Sequence, residues 1–133
     1  MHGTMTEKLL KAAAWVSLLG LVVLTVIPAD ERPVTGFQHD LEHFIAFAPA
    51  GFLLGLAYAG RIRWLYPGAL AFTLVLELSQ IALPSRHARV ADFIVDGVAA
   101  CLGLAIAQVC RTSKKKLSRE ETQTAPEESN ATP

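Results

Sequence analysis

The chain alternates between long apolar runs and short polar stretches. Four apolar runs cover residues 12–27, 44–60, 64–83 and 93–110. Each run is close to the ~20 residues that an α-helix needs to cross ~30 Å of hydrocarbon. The runs are continuous, whereas the strands of a membrane barrel would be ~10 residues long with alternating polarity. The pattern therefore predicts an all-α fold, a membrane-spanning four-helix bundle formed by residues 1–110.

The first run raises the alternative of a cleavable signal peptide, because Lys8 and Lys11 precede it. A signal peptide ends in a cleavage site of small residues. This run is followed instead by Pro28, Asp30 and Glu31, and it is long for the apolar segment of such a signal. We therefore expect it to be retained as the first helix.

Lysine and arginine residues are distributed unevenly between the two sides of a four-pass topology. One side carries Arg32, Arg86 and Arg89. The other side carries a larger set: Lys8, Lys11, Arg61, Arg63, Arg111, Lys114, Lys115, Lys116 and Arg119. Because the cytoplasmic loops of membrane proteins are enriched in these residues, we predict that both termini are cytoplasmic.

The overall composition agrees with a membrane class. Of the 133 residues, 52% are apolar and only 18% are charged, which is unusual for a soluble domain of this size. The formal net charge is zero and no basic stripe is present, so nucleic acid is not an expected partner. The expected partners are membrane lipids. After residue 110 the chain is nearly devoid of apolar residues. We expect residues 111–133 to be a disordered cytoplasmic tail, whose basic start either enforces the topology or also contacts anionic lipid headgroups.

Small residues recur every four positions in two of the runs, as Gly51, Gly55 and Ala59 in the second run and as Ala99, Gly103 and Ala107 in the fourth. Such ridges allow membrane helices to approach each other closely. We interpret them as packing faces.

Polar residues collect at the ends of the runs that the topology places on the outer side. His43 begins the second run, Glu77 and Gln80 lie near the end of the third, and Asp92 and Asp96 begin the fourth. The spacings i, i+3 and i, i+4 place Glu77 with Gln80, and Asp92 with Asp96, on one face of each helix. Ionisable residues inside a membrane are costly, so they are expected to be paired or functional. We predict a binding site formed by His43, Glu77, Gln80, Arg86, Asp92 and Asp96.

Several chemistries remain open for this set. His43, Glu77 and Asp92 are the candidates for acid/base catalysis, because burial and neighbouring charges shift the pKa of a carboxyl group. A structural set of salt bridges between Arg86, Arg89 and the carboxylates is the alternative. No spacing typical of a metal site or a cofactor is present, so we expect neither. Cys101 and Cys110 are too far apart along one helix to form a disulfide.

These residues also carry a family likeness. The string His39-Asp-Leu-Glu-His-Phe resembles the helix-two motif of the VanZ-like family, and the segment from Glu77 through Gly103 resembles its second motif. Matching positions are His43, Glu77, Gln80, Arg86, Asp92 and Gly103. The chain departs from the motif at four positions: His39 replaces Asp, Asp40 replaces Lys, Asp96 replaces Asn and Ala99 replaces Gly.

The resemblance implies a small bacterial protein of the cytoplasmic (inner) membrane. The VanZ-like family is named for a protein that confers low-level resistance to teicoplanin, a glycopeptide antibiotic that targets cell-wall precursors. A site at the outer leaflet is compatible with this family, and we hypothesise that it recognises a lipid-linked or amphiphilic component of the cell envelope. In this hypothesis Arg86 binds a phosphate or carboxylate, while Glu77 and Asp92 position Arg86 and His43. The alternatives are a membrane-embedded acid/base enzyme acting on a lipid headgroup, a structural accessory protein, and, less favoured, proton-coupled transport.

Overall fold

A computed structural model describes residues 4–27, 38–81 and 90–124. Within these residues the chain is all-α, as predicted from the apolar runs. Four helices follow one another: α1 (Met5–Val26), α2 (His39–Ala57), α3 (Ile62–Ile81) and α4 (Val90–Thr124). A single 3₁₀ turn, Ala59–Arg61, joins α2 to α3.

Local signals explain where the first two helices begin and end. The Thr4 hydroxyl accepts a hydrogen bond from the Glu7 backbone N–H at 3.3 Å, which caps α1. Asp40 and Glu42 lie in the first turn of α2, where negative charge is favoured by the helix dipole. At the other end of α2 the backbone of Tyr58 leaves helical geometry, so the helix ends one residue earlier. Ala59, predicted to extend the small-residue ridge of α2, therefore lies outside the helix.

Three of the four helices are long and apolar enough to cross a membrane, over Met5–Thr25, Asp40–Ala57 and Val90–Glu120. Among the described residues α3 does not join them, although it has 20 residues. Polar positions such as Glu77 and Gln80 lower the mean hydropathy of this helix. The fourth crossing, by α3, remains a prediction.

Helix α4 differs from the sequence prediction at its C-terminal end. The predicted disordered tail begins at residue 111, but the helix continues to Thr124, so that prediction is wrong for residues 111–124. The composition argument considered only burial. A helix already formed in the membrane needs no new nucleation, and the segment contains Lys, Leu, Arg and Glu with neither Gly nor Pro. Residues 125–133 of the predicted tail lie outside the described residues.

Helices α2 and α4 form the closest pair in the bundle. A Cβ atom added at Gly103 would overlap the Ala48 carbonyl oxygen and would lie 2.6 Å from the Phe52 backbone nitrogen. On the facing helix, a Cβ atom at Gly55 would lie 2.6 Å from the Ala107 Cβ. Glycine at these positions allows the two backbones to touch, which is how membrane helices associate without a hydrophobic driving force. The predicted packing role of Gly55 and Gly103 is therefore confirmed by the geometry.

The other two helices pack around this pair. Helix α1 contacts mainly α2, and α3 contacts mainly α4. One apolar cluster joins all four helices through Leu21, Phe47, Leu76 and Ala99, and Ala50 completes it. Because the chain enters α3 directly after α2, α3 runs back and ends at the same end of the bundle as the start of α2. Helix α4 begins at this end too.

The opposite end of the bundle carries the positive charge. There the Trp15 indole N–H donates a hydrogen bond to the Tyr58 hydroxyl at 2.9 Å, and the Arg111 guanidinium donates to the Leu56 carbonyl at 2.8 Å. These contacts hold the middle of α1, the end of α2 and the middle of α4 together. In the part of the chain that the structure describes, every lysine and arginine lies at or beyond this end, which we call the basic end: Lys8, Lys11, Arg61, Arg63, Arg111, Lys114, Lys115, Lys116 and Arg119.

Candidate functional site

A histidine–carboxylate pair joins α2 to α4 at the end of the bundle opposite the basic end. The His43 Nδ1 atom lies 2.9 Å from the Asp96 Oδ1 atom. The His43 side chain is 12% exposed and the Asp96 side chain is 3% exposed, so the contact is almost completely removed from solvent. In the tautomer that carries its proton on Nδ1, His43 donates this hydrogen bond to Asp96, and the contact orients the ring.

The sequence around each partner explains why they meet. His43 lies in the second turn of α2, one turn before Phe47, and the two rings are parallel within 7° with their centroids 6.4 Å apart. Asp96 lies one turn before the buried residues Ala99 and Ala100. The small residues that bring the two helix backbones together therefore also bring the histidine to the carboxylate.

Asp92 lies one helical turn before Asp96 and is 4% exposed. The i, i+4 spacing predicted one face of α4 for the two carboxylates, and the burial of both confirms it. In the structure this face is directed into the bundle, because it continues into the buried positions Ala99, Gly103 and Ala107.

Helix α3 contributes a second buried polar face. Glu77 is 6% exposed and Gln80 is 7% exposed, whereas the intervening Leu78 and Ser79 are exposed. Leu76, the residue before Glu77, packs in the cluster that contains Phe47 and Ala99. Glu77 and Gln80 therefore lie at the end of the bundle that also holds the His43–Asp96 pair, above a shared apolar layer.

Thr73 is a buried polar residue that the sequence pattern did not single out. It is 1% exposed, its hydroxyl donates to the Leu70 carbonyl at 3.0 Å, and that hydroxyl would lie 3.9 Å from a Cβ atom added at Gly97. The i, i+4 relation between Thr73 and Glu77 was the available signal. That signal is weak because threonine is common in apolar membrane helices, where it donates to its own helix backbone, as it does here.

Not every predicted site residue can be located. Arg86 lies outside the described residues, as do His87 and Arg89. The backbone of His39 is part of α2, and of its side chain nothing is described. Asp40 is exposed and Glu42 is half-buried at the start of the same helix. Within the described residues the structure thus brings together five of the predicted site residues at one end of the bundle: His43, Glu77, Gln80, Asp92 and Asp96.

The described part of this site consists mainly of hydrogen-bond acceptors. Three carboxyl groups, of Glu77, Asp92 and Asp96, are buried with one imidazole and one amide. Such a set suits hydroxyl or amine donors on a ligand, and a low-dielectric setting strengthens each hydrogen bond. No group of three or more His, Cys, Asp or Glu side chains arranged to hold a metal ion is found within residues 4–27, 38–81 and 90–124.

Comparison with known proteins bears on the whole bundle. The sequence model of the family described as VanZ/LLP1 matches residues 5–111, which span all four helices. No curated protein and no solved structure matches the chain significantly.

Proposed function

The chain belongs to the VanZ/LLP1 family, as the resemblance of its motifs indicated, and three of its helices are able to cross a membrane. We propose that this membrane protein recognises a lipid-linked or amphiphilic component of the bacterial cell envelope. The proposed site is the end of the bundle that holds His43, Glu77, Gln80, Asp92 and Asp96, which we call the polar end. On the predicted topology this end faces the outer leaflet of the cytoplasmic membrane. Drug resistance is not part of the proposal.

The observation that carries the proposal is the buried hydrogen bond between His43 and Asp96. A membrane bundle gains little from burying a histidine and carboxylates, because apolar residues of the same size would be cheaper to place there. The chain nevertheless buries Glu77, Gln80 and Asp92 at the same end. Polar groups concentrated at one depth suit the headgroup of an amphiphile whose apolar part stays in the lipid.

The residues take different roles in this proposal. Asp96 holds the imidazole of His43 in one orientation, and His43, Glu77 and Asp92 present polar atoms to hydroxyl or amine groups of the headgroup. Arg86, where the family motif has the same residue, binds a phosphate or carboxylate through its planar guanidinium group. The amide of Gln80 offers both a donor and acceptors to the same headgroup.

The test is a comparison of the lipids that co-purify with matched variants. Glu77→Gln keeps the size of the side chain but replaces its carboxyl group by an amide. Glu42→Gln makes the same change at a half-buried residue in the first turn of α2. Full-length protein is purified in mild detergent from one host, and the bound lipids are identified by mass spectrometry. We expect an envelope lipid that is enriched with the wild type to be depleted several-fold in Glu77→Gln and retained in Glu42→Gln.

The same variants, measured in two further ways, separate the alternatives. If overproduction of the wild type converts one lipid species into another in whole cells and Glu77→Gln abolishes the conversion, the protein is an acid/base enzyme. If Glu77→Gln lowers the unfolding temperature while the bound and total lipids stay unchanged, the polar residues only stabilise the bundle. Identical co-purified lipids in the wild type and both variants, with equal stability, would also contradict the proposal.

A further inference from the structure

Two adjoining cavities share residues near the basic end, and the first also runs along the middle of the bundle. The first is an apolar groove of about 690 Å³ between α1 and α3, which we call the α1–α3 groove. Its walls include Leu18, Phe47 and Phe72, and its mouth at the basic end is formed by the rings of Trp15 and Trp64. The groove exists because α1 packs mainly on α2 and α3 mainly on α4, which leaves the space between α1 and α3 open.

The second cavity is a polar cleft of about 510 Å³, which we call the basic cleft. It is lined by Lys11, Arg61 and Arg111, together with the single acid Glu7. Tyr58 and Arg61 line both cavities, so the α1–α3 groove and the basic cleft adjoin at these two residues. An apolar groove therefore lies next to a cationic cleft.

The cationic side chains around the cleft are held in place by neighbouring groups. The Lys11 Nζ atom lies 5.8 Å from the centre of the Tyr58 ring, within the range of a cation–π contact. Arg111 donates one of its N–H groups to the Leu56 carbonyl. A guanidinium group has five N–H donors, so this contact leaves Arg111 the capacity to bind an anion as well.

We propose that the α1–α3 groove and the basic cleft together bind one anionic phospholipid from the leaflet at the basic end. One acyl chain lies in the groove and the headgroup phosphate lies in the cleft, against Arg61, Lys11 and Arg111. The headgroup part of this site lies at the basic end, whereas the apolar groove reaches Phe47 next to His43. The proposal does not depend on the function proposed for the polar end.

Charge complementarity selects this occupant. Basic pockets between membrane helices bind anionic headgroups, and each cavity has the size of a ligand site. On the predicted topology the tryptophan and tyrosine rings of Trp15, Trp64 and Tyr58 lie toward the basic side of the membrane, and such rings prefer a membrane interface. A second protein helix lying in the groove would fill its apolar part but would supply no counter-charge to the cleft.

The chain provides its own probe for this site. It contains two tryptophans, Trp15 and Trp64, and both line the groove. The full-length protein is reconstituted into phosphatidylcholine vesicles, and brominated phosphatidylglycerol or brominated phosphatidylcholine is added in increasing proportion. Bromine quenches tryptophan fluorescence on contact. We expect phosphatidylglycerol to quench at a several-fold lower mole fraction than phosphatidylcholine.

Two matched pairs of variants locate the effect. Arg61→Gln should lower the preference for phosphatidylglycerol about fivefold, the effect of one basic group near an anionic headgroup. Lys114→Gln removes the same charge outside the cleft and should leave the preference unchanged.

Gly68 lines the groove and a Cβ atom there meets no other atom within 4 Å, so Gly68→Leu should fill the groove and remove the excess quenching. Gly20→Leu, at an equally open position on α1 that does not line the groove, should retain it.

Other outcomes would overturn the proposal. Equal quenching of the wild type by the two brominated lipids would show random lipid contact or a groove filled by another protein chain. An equal loss of preference in Arg61→Gln and Lys114→Gln would show that the whole basic surface, and no defined site, attracts the anionic lipid. Unchanged excess quenching in Gly68→Leu would exclude the groove as the location of the acyl chain.

Discussion

The helix pair α2–α4 and the helix pair α1–α3 are built on opposite principles. In α2–α4, Gly51, Gly55 and Gly103 bring the backbones into direct contact, and a buried hydrogen bond between His43 and Asp96 joins the pair at its polar end. Between α1 and α3 the contacts are few and a groove of about 690 Å³ remains.

The difference shows how a short chain divides rigidity and access in a membrane. Because van der Waals contact drives the association of membrane helices, the chain places its small residues where two helices must hold a polar site in one register. Large apolar side chains line the α1–α3 groove, where lipid can replace protein contacts. Substitutions should therefore have large effects in the α2–α4 pair and small effects elsewhere.

The largest effect is expected from Gly103→Leu. The new side chain would collide with the backbone of Ala48 and Phe52, so the two helices would have to separate. Overpacking of this kind costs about 3 kcal/mol of stability or more when backbone cannot move away. The measurement is the unfolding temperature in detergent together with the monodisperse fraction on gel filtration. Gly20→Leu is the control, and a similar loss in both variants would show that the α2–α4 contact is not special.

An intermediate effect is expected from Asp96→Ala. This change removes the hydrogen-bond acceptor of His43. Losing the acceptor of a buried donor that water cannot reach lowers the free energy of unfolding by about 2 kcal/mol. Asp96→Asn keeps an acceptor oxygen, and asparagine is the residue that the family motif has at this position, so it should lose less than half as much stability. Thermal unfolding of both variants measures this. An Asn variant as unstable as the Ala variant would contradict the hydrogen-bond explanation.

A smaller effect is expected from Trp15→Phe. The change removes the exposed hydrogen bond to Tyr58 at 2.9 Å, worth about 0.5 kcal/mol. Tyr58→Phe removes the same hydrogen bond from the other side. The double variant should therefore lose the contribution of this bond to the unfolding free energy only once. A double-mutant cycle of unfolding free energies in detergent provides the test, and independent, additive losses would argue against the contact.

The smallest effect is expected from Lys116→Gln in the C-terminal extension of α4. Lys116 and Glu120 are 3.9 Å apart and both are exposed. Exposed pairs contribute little, so neither the unfolding temperature nor the helix content measured by circular dichroism should change detectably. A clear decrease in helix content would show that the extension depends on this pair, contrary to the expectation that its helix formers and its continuity with α4 suffice.

Much of the polar end could be predicted from residue spacing. The i, i+4 relation of Asp92 and Asp96 identified a buried face of α4. The positions of His43, Glu77 and Gln80 at the outer ends of their apolar runs singled out these three residues, which also match the family motifs. The pairing of His43 with Asp96 could not be predicted, because residues 53 positions apart meet only when two helices pack in one particular register. The positioning of His43 by Glu77 and Asp92 remains a prediction.

The amino-acid sequence by itself determined the all-α class, the difference between the basic end and the polar end of the bundle, and the family. These follow from local apolar runs, from the placement of charges and from short motifs. Only the tertiary structure decided how the helices pair. The backbone contact at Gly103, the contact of His43 with Asp96 and the open space between α1 and α3 depend on distances between segments far apart in the chain. Composition also failed for residues 111–124, since a helix that starts in the membrane continues by propagation and needs no buried face of its own.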